Sequence, residues 1–230
     1  MANDLLLSKL AFECIKDSIT LPNGDFQYSA FTRGEYDNND DYILQEKRFW
    51  AVVNTAITKL VENNKLPTNL EQVEVLRDEN NRPYFIKPDN VEQILNVIDF
   101  LNGGHHNFTF REVFENGQRV VKLNSNALVG DVVYIEYKQL IPRFKKEDII
   151  TVTEEVGLII DNNVDLSSYG INRSMFDFLC EYCKGEIMFL IDPAIGTAIK
   201  NNAEYLLQTL KTYSEQYAQD NIYSDGLGIF

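Results

Sequence analysis

Residues 173–210 read RSMFDFLCEYCKGEIMFLIDPAIGTAIKNNAEYLLQTL, and the break at Asp192-Pro193 divides this stretch into two helices. Aspartate is a good N-cap and proline a good first helical residue, so a new helix opens there. Upstream, Met175, Phe176, Leu179, Tyr182, Cys183, Ile187, Leu190 and Ile191 cover most faces of one helix, which predicts a central, buried element. Downstream, Ile195, Ile199, Leu206, Leu210, Tyr213 and Tyr217 form a stripe facing it, in a helix expected to run to about Tyr217. The chain therefore closes with a helical hairpin.

Two further helices are expected near the N-terminus. One spans Asn3 to Ser18 on a stripe of Leu6, Leu10 and Ile15. The other is capped by Asn38 or Asn39 and carries Ile43, Phe49, Trp50, Val53, Ile57 and Leu60 until Pro67 ends it. Residues 22–41 between them read as loop. From 68 onward the period shortens to two: Val73 and Val75, a turn at Asp78-Glu79-Asn80-Asn81, then Tyr84-Phe85-Ile86 predict a hairpin. Pro88-Asp89-Asn90 looks like the start of a short helix with Val91, Ile94, Leu95, Ile98 and Leu101, closed by Gly103. Asn116-Gly117, between Phe108–Glu115 and Gln118–Leu123, is the strongest hairpin signal, because both residues tolerate the positive φ of a tight turn. Val132–Lys138 adds a strand and Ile149–Val152 another. The fold class is α+β: a helical domain from 1–67 and 166–220, a mostly antiparallel β-rich insertion at 68–165, and a tail at 221–230.

Length and composition set limits on function. At 230 residues a core needs neither disulfide nor metal. The longest apolar run, Ile187 to Ile191, is far short of a membrane span. Leu5-Leu6-Leu7, between Asp4 and Lys9, lacks the form of a signal peptide, so the cytosol is expected. Thirty-five acids against 21 bases give −14, which repels nucleic acid at long range and argues against DNA coating. Residues 151–230 hold 12 acids and 4 bases, more than half of the excess, which suggests one acidic surface.

The chemical motifs are weak. Cys180 and Cys183 have C-x-x-C spacing but lie inside an apolar helix, where neither a redox pair nor a zinc site with His105 and His106 is expected. Asp37 to Asp41 and Asp161 to Asp165 begin like calcium loops. Tyr42 or Leu166 then replaces the sixth-place glycine, and Arg48 or Asn172 the twelfth-place glutamate, so caps and loop solvation explain both. Lys145-Lys146 beside Arg143 reads as a solvated turn. No phosphate-loop, zinc-protease or serine-hydrolase motif occurs. No catalytic, cofactor-binding or metal-binding residue is assigned; a small-molecule-binding protein or hydrolase with an unmarked acidic pocket is the alternative class. The C-terminal segment is more suggestive, because Ile222, Tyr223, Leu227, Ile229 and Phe230 need an apolar site, on their own bundle or on a neighbouring chain.

Asp165-Leu-Ser-Ser-Tyr169, the buried helix with Phe176, Leu179, Cys183 and Glu186, the Asp192-Pro193 break, and a last helix with Ala203 to Leu207 and Tyr213 to Ala218 together resemble the closing hairpin of tailed-phage head-to-tail adaptors. The tail tubular protein A type is the most similar. The Tyr134–Tyr137 strand and the Ile141-Pro142 step resemble the strand that leads into that hairpin. The abundance of Asn is also similar to proteins of phages with AT-rich genomes, including crAss-like podoviruses, whose necks stack several rings. The Asn23 to Asp40 loop departs from the adaptor pattern. The resemblance implies a structural virion protein, assembled in the host cytoplasm as a dodecameric homo-oligomer beneath the portal protein and against adjacent tail or neck rings. DNA would pass through its channel without specific binding. It implies no catalysis, cofactor or membrane. Heterologous subunit contacts, with 22–40 and 221–230 as connectors, and an acidic channel wall follow as expectations.

Overall fold

The computed structural model describes residues 5–19, 21, 24–99, 106–124, 132–149, 151–152, 159–160 and 163–211. The protein is α+β, and every strand pairing among the described residues is antiparallel. It divides into two compact units, one of Met1–Leu66 with Arg143–Phe230 and one of Pro67–Pro142. Residues 143–165, expected in the β-rich insertion, thus belong to the helical unit.

The helical unit is organised around α4 (Arg173–Phe189), which contacts α1 (Leu7–Ile15), α3 (Asp40–Glu62) and α5 (Pro193–Thr209). Asn172 caps α4 by accepting from the Met175 amide at 3.0 Å, and Asn39 caps α3 by accepting from the Tyr42 amide at 2.9 Å. Such caps are worth about 1 kcal/mol each. Packing dominates: Leu10, Phe49, Phe178 and Leu179 are fully buried, each worth about 1.5–3 kcal/mol. α1 is shorter than expected, because Leu6 is drawn into a β-bridge with Asp165, and the Leu7 amide donates to the Val164 carbonyl at 2.9 Å.

The expectations for three segments are revised here. The 22–41 loop contains α2 (Tyr28–Thr32), and Phe26, Phe31 and Tyr36 pack with Phe12 and Tyr42 in one aromatic cluster. α5 ends at Thr209, where Leu210 turns extended; Tyr213 and Tyr217 lie outside the described residues. The buried residues of α5 are Gly196, Ala203 and Leu207; of the expected stripe, Ile199 packs on Gly185 and Leu206 and Leu210 are half-buried, while Ile195 is exposed. Small side chains let the two helices approach more closely than an isoleucine stripe would. Of Ile149–Val152 only Thr151–Val152 (β9) is strand, paired with β10 (Ile159–Ile160); Ile149 is buried at the end of a 3₁₀ turn over Lys146–Asp148.

In the β-rich unit, β1 (Thr68–Glu74), β8 (Val132–Gln139), β4 (Val91–Asp99) and β5 (His106–Asn107) form one sheet in that order. The other runs β2 (Leu76–Arg77), β3 (Pro83–Ile86), β7 (Gln118–Leu123), β6 (Phe110–Glu115). Both close over one core containing Val73, Val97, Val133 and Ile135 from the first sheet and Phe85, Val121 and Leu123 from the second. The hairpin expected from Val73 onward is divided between the sheets: β1 pairs with β8, and only Leu76–Arg77 pairs with β3. Asn116 and Gly117 take φ of 52° and 80°, the twisted turn their sequence predicts.

The helix expected at 91–101 is instead strand β4. Its pairing with β8 shifts register between Val91 and Gln93 and again between Ile94 and Asn96. Each irregularity adds a residue to the strand, so inward positions recur at Val91, Ile94 and Val97, all buried, at intervals of three. A bulged strand thereby imitates helical spacing. Leu101 and Gly103 lie outside the described residues.

Candidate assembly surfaces

The turn between α4 and α5 is braced. Asp192 accepts from the Ala194 and Ile195 amides at 3.0 and 3.1 Å, its own amide donates to the Met188 carbonyl at 2.7 Å, and Gly196 lies directly on the Phe189 backbone. Lys200 reaches back from α5 to pair with Glu186 at 2.7 Å and stands 5.0 Å from the Phe189 ring centre. On this corner Phe189, Leu190, Ile191 and Ile195 are 40, 59, 49 and 49% exposed. The helical stripe places Leu190 and Ile191 in the core; they instead follow the last turn of α4 into solvent. Their signal is legible afterwards, as an apolar run that does not break before the Asp192 cap. Burying the remaining surface of four such side chains is worth roughly 3–6 kcal/mol before the cost of association.

A second feature joins the 24–39 segment to the start of residues 143–149. The Tyr42 hydroxyl, 1% exposed, donates to Glu46 at 2.8 Å; Lys146 pairs with Glu46 at 3.3 Å and with Asp37 at 2.7 Å. Lys146, expected in a solvated turn, is therefore an anchor. Burial and then the Glu46 carboxylate push the Tyr42 hydroxyl far above the ordinary tyrosine range. For Lys146, burial would lower the value, but Asp37 and Glu46 outweigh it and raise it. Both groups hold protons that the unfolded chain releases, so stability is complete at neutral pH and falls as pH rises past the ordinary tyrosine value of 10.0. Alkaline unfolding followed by circular dichroism is expected to begin there. Tyr42→Phe should cost about 1 kcal/mol at pH 7 and lessen the alkaline loss; an unchanged pH profile would remove Tyr42 from this role.

The three cysteines meet where α1 packs on α4, with the Cys14 thiol donating to the Cys180 carbonyl at 3.6 Å. Burial raises the Cys14 pKa, and the contact with Cys14, then burial, raises that of Cys180. Protonated thiols in a core are the opposite of a reactive pair. His106 lies in β5 and His105 outside the described residues; among the described residues no group of three or more His, Cys, Asp or Glu is placed to hold a metal ion. Asn39 and Asp165, from the two calcium-like stretches, serve as caps, the latter accepting from the Ser167 amide at 2.9 Å.

The β-rich unit carries a groove of about 530 Å³ beside the Asn116-Gly117 turn, lined by Ile86, Lys87, Phe114, Arg119 and Leu140 among others. Phe114 is 73% exposed, Ile86 45% and Leu140 47%. Lys87 is buried and committed, donating to the Glu112 carboxylate at 2.8 Å and the Glu92 carbonyl at 2.7 Å.

The tail residues expected at an interface, Ile222, Tyr223, Leu227, Ile229 and Phe230, lie outside the described residues. The acidic surface expected of the last third is not built by the residues described there. Asp177 and Glu186 pair with Arg173 and Lys200, Glu204 pairs with Lys59, Glu181 accepts from Asn202, and Asp165 and Asp192 are caps. Residues 163–211 hold six acids and four bases; the unmatched charge falls in 153–162 and 212–230, with six acids and no base. Among the described residues no helix is long and apolar enough to cross a membrane. No known protein-family model matches the sequence, and no curated protein matches it significantly.

Proposed function

We propose that the chain is a structural ring subunit in the neck of a tailed phage, bridging portal and tail around the DNA channel. The observation that carries this reading is the braced apolar corner of Phe189, Leu190, Ile191 and Ile195, because four large apolar side chains held rigidly in solvent suit a permanent protein contact. The antiparallel β-rich unit inserted between helical segments, which the adaptor resemblance implies, supports the same reading. A net charge of −14 suits a wall that a polyanion passes without adhering.

Native mass spectrometry of the protein, alone and with its portal partner, should show closed rings, and electron microscopy of the particle should place them in the neck. Monomers alone, even with the portal present, would sink the proposal. Leu190→Asp combined with Ile191→Asp should abolish ring formation while leaving the melting temperature within a few degrees, because neither side chain belongs to the core. Rings that persist in this variant would move the contact to another surface.

A further inference from the structure

We infer that the groove beside the β6–β7 turn receives residues 221–230 of a second copy of this chain, linking subunits head to tail. The inference rests on the ring reading only in taking the partner to be a second copy. The groove is apolar where Phe114, Ile86 and Leu140 line it, and its volume of about 530 Å³ lies in the range that buries a ligand's side chains. At its rim the Arg119 guanidinium has no ion pair among the described residues. Lys87 lies beneath with its charge matched by Glu112, and Asp89 also lines the groove, so the attraction for an acidic segment falls to Arg119. Residues 76–89 and 110–123, which build this sheet and its rim, hold six bases and five acids, a positive balance in a chain of −14.

Residues 212–230 have the complementary character. They carry Glu215, Asp220 and Asp225 with no base, and five large apolar residues in the last ten. Nineteen residues beyond Lys211 reach up to about 65 Å when extended, enough to cross to a neighbouring subunit. Opposite charge at the rim sets the register and apolar side chains fill the groove, the arrangement in which anchors give affinity and rim charges give specificity. The contact is heterologous, with two different surfaces meeting, and such contacts form a ring when the rotation between neighbours closes.

The test uses the full chain with the photoreactive analogue benzoylphenylalanine at Gln118, which lines the groove, in an equal mixture of normal and nitrogen-15-labelled protein. Cross-links from position 118 to residues 221–230 in mixed-isotope pairs are expected. Cross-links to other segments only, to the same isotope only, or none, would overturn the inference. Arg119→Glu should lower the yield about tenfold, and Asp225→Arg in the same chain should restore it; failure of the swap to restore it would overturn the assigned pairing. Rings whose subunits cross-link elsewhere would overturn this inference and leave the ring reading standing. Tail-to-groove cross-links without rings would do the reverse.

Discussion

Alanine at Gly196 is expected to destabilise the helical unit by about 3 kcal/mol, lowering its melting temperature by about 10 °C. The sign is the informative part, because glycine to alanine inside a helix ordinarily gains about 1 kcal/mol. At Gly196 an added Cβ would stand 2.3 Å from both the Phe189 Cα and its amide nitrogen. Those are backbone atoms of α4 and cannot swing aside, so the hairpin must open. Gly185 is the control: its added Cβ would meet the Lys200 Cγ at 2.8 Å and the Lys200 nitrogen at 3.0 Å. The side chain can yield and the nitrogen only partly, so a smaller loss is expected. A raised melting temperature for Gly196→Ala, read by calorimetry, would show that the helices do not touch there. Because Phe189, Leu190 and Ile191 ride on this contact, the variant should also weaken assembly.

Phe85→Ala is expected to unfold the β-rich unit while the helical unit stays folded. Phe85 is fully buried, the largest side chain without exposed surface in the core that both sheets share. Truncation leaves a cavity costing about 3–5 kcal/mol. At roughly 0.1 kcal/mol per residue, a unit spanning Pro67–Pro142 holds only about 5–10 kcal/mol, so the loss consumes a large share. Hydrogen exchange read by mass spectrometry should show protection falling in peptides of 67–142 and persisting in α4, whose buried Phe178, Leu179 and Ile187 belong to the helical unit. Equal loss in both would mean that the two units unfold as one.

What the sequence discloses depends on how local the cause is. The Asp192-Pro193 helix start and the Asn116-Gly117 turn were legible because cap and turn chemistry act over two or three residues. The β4 strand was not, since two pairing irregularities give Val91, Ile94 and Val97 a spacing of three, which a pattern count assigns to helix. The inward face of α5 is legible only in part: Ile199 packs on α4 as its spacing predicts, but Gly196 and Ala203 carry no large apolar side chain to mark them. Lys146 looked solvated because its partners, Asp37 and Glu46, stand a hundred residues or more away along the chain. Of the surfaces proposed for interaction, the tail at 221–230 rests on composition, whereas the exposure of Leu190 and Ile191 and of Phe114 in the groove is visible only in three dimensions.

The discontinuity of the helical unit has a consequence for how the protein is made. α1 and α3 leave the ribosome first, yet much of the surface they bury belongs to α4, which follows only after the whole of Pro67–Pro142. At about 5–20 residues per second, Leu10, Phe49 and their neighbours wait roughly ten seconds for that partner, while the β-rich unit is already complete. The nascent chain therefore carries a finished domain downstream of an unfinished one, and through that interval its N-terminal helices keep their apolar faces in water.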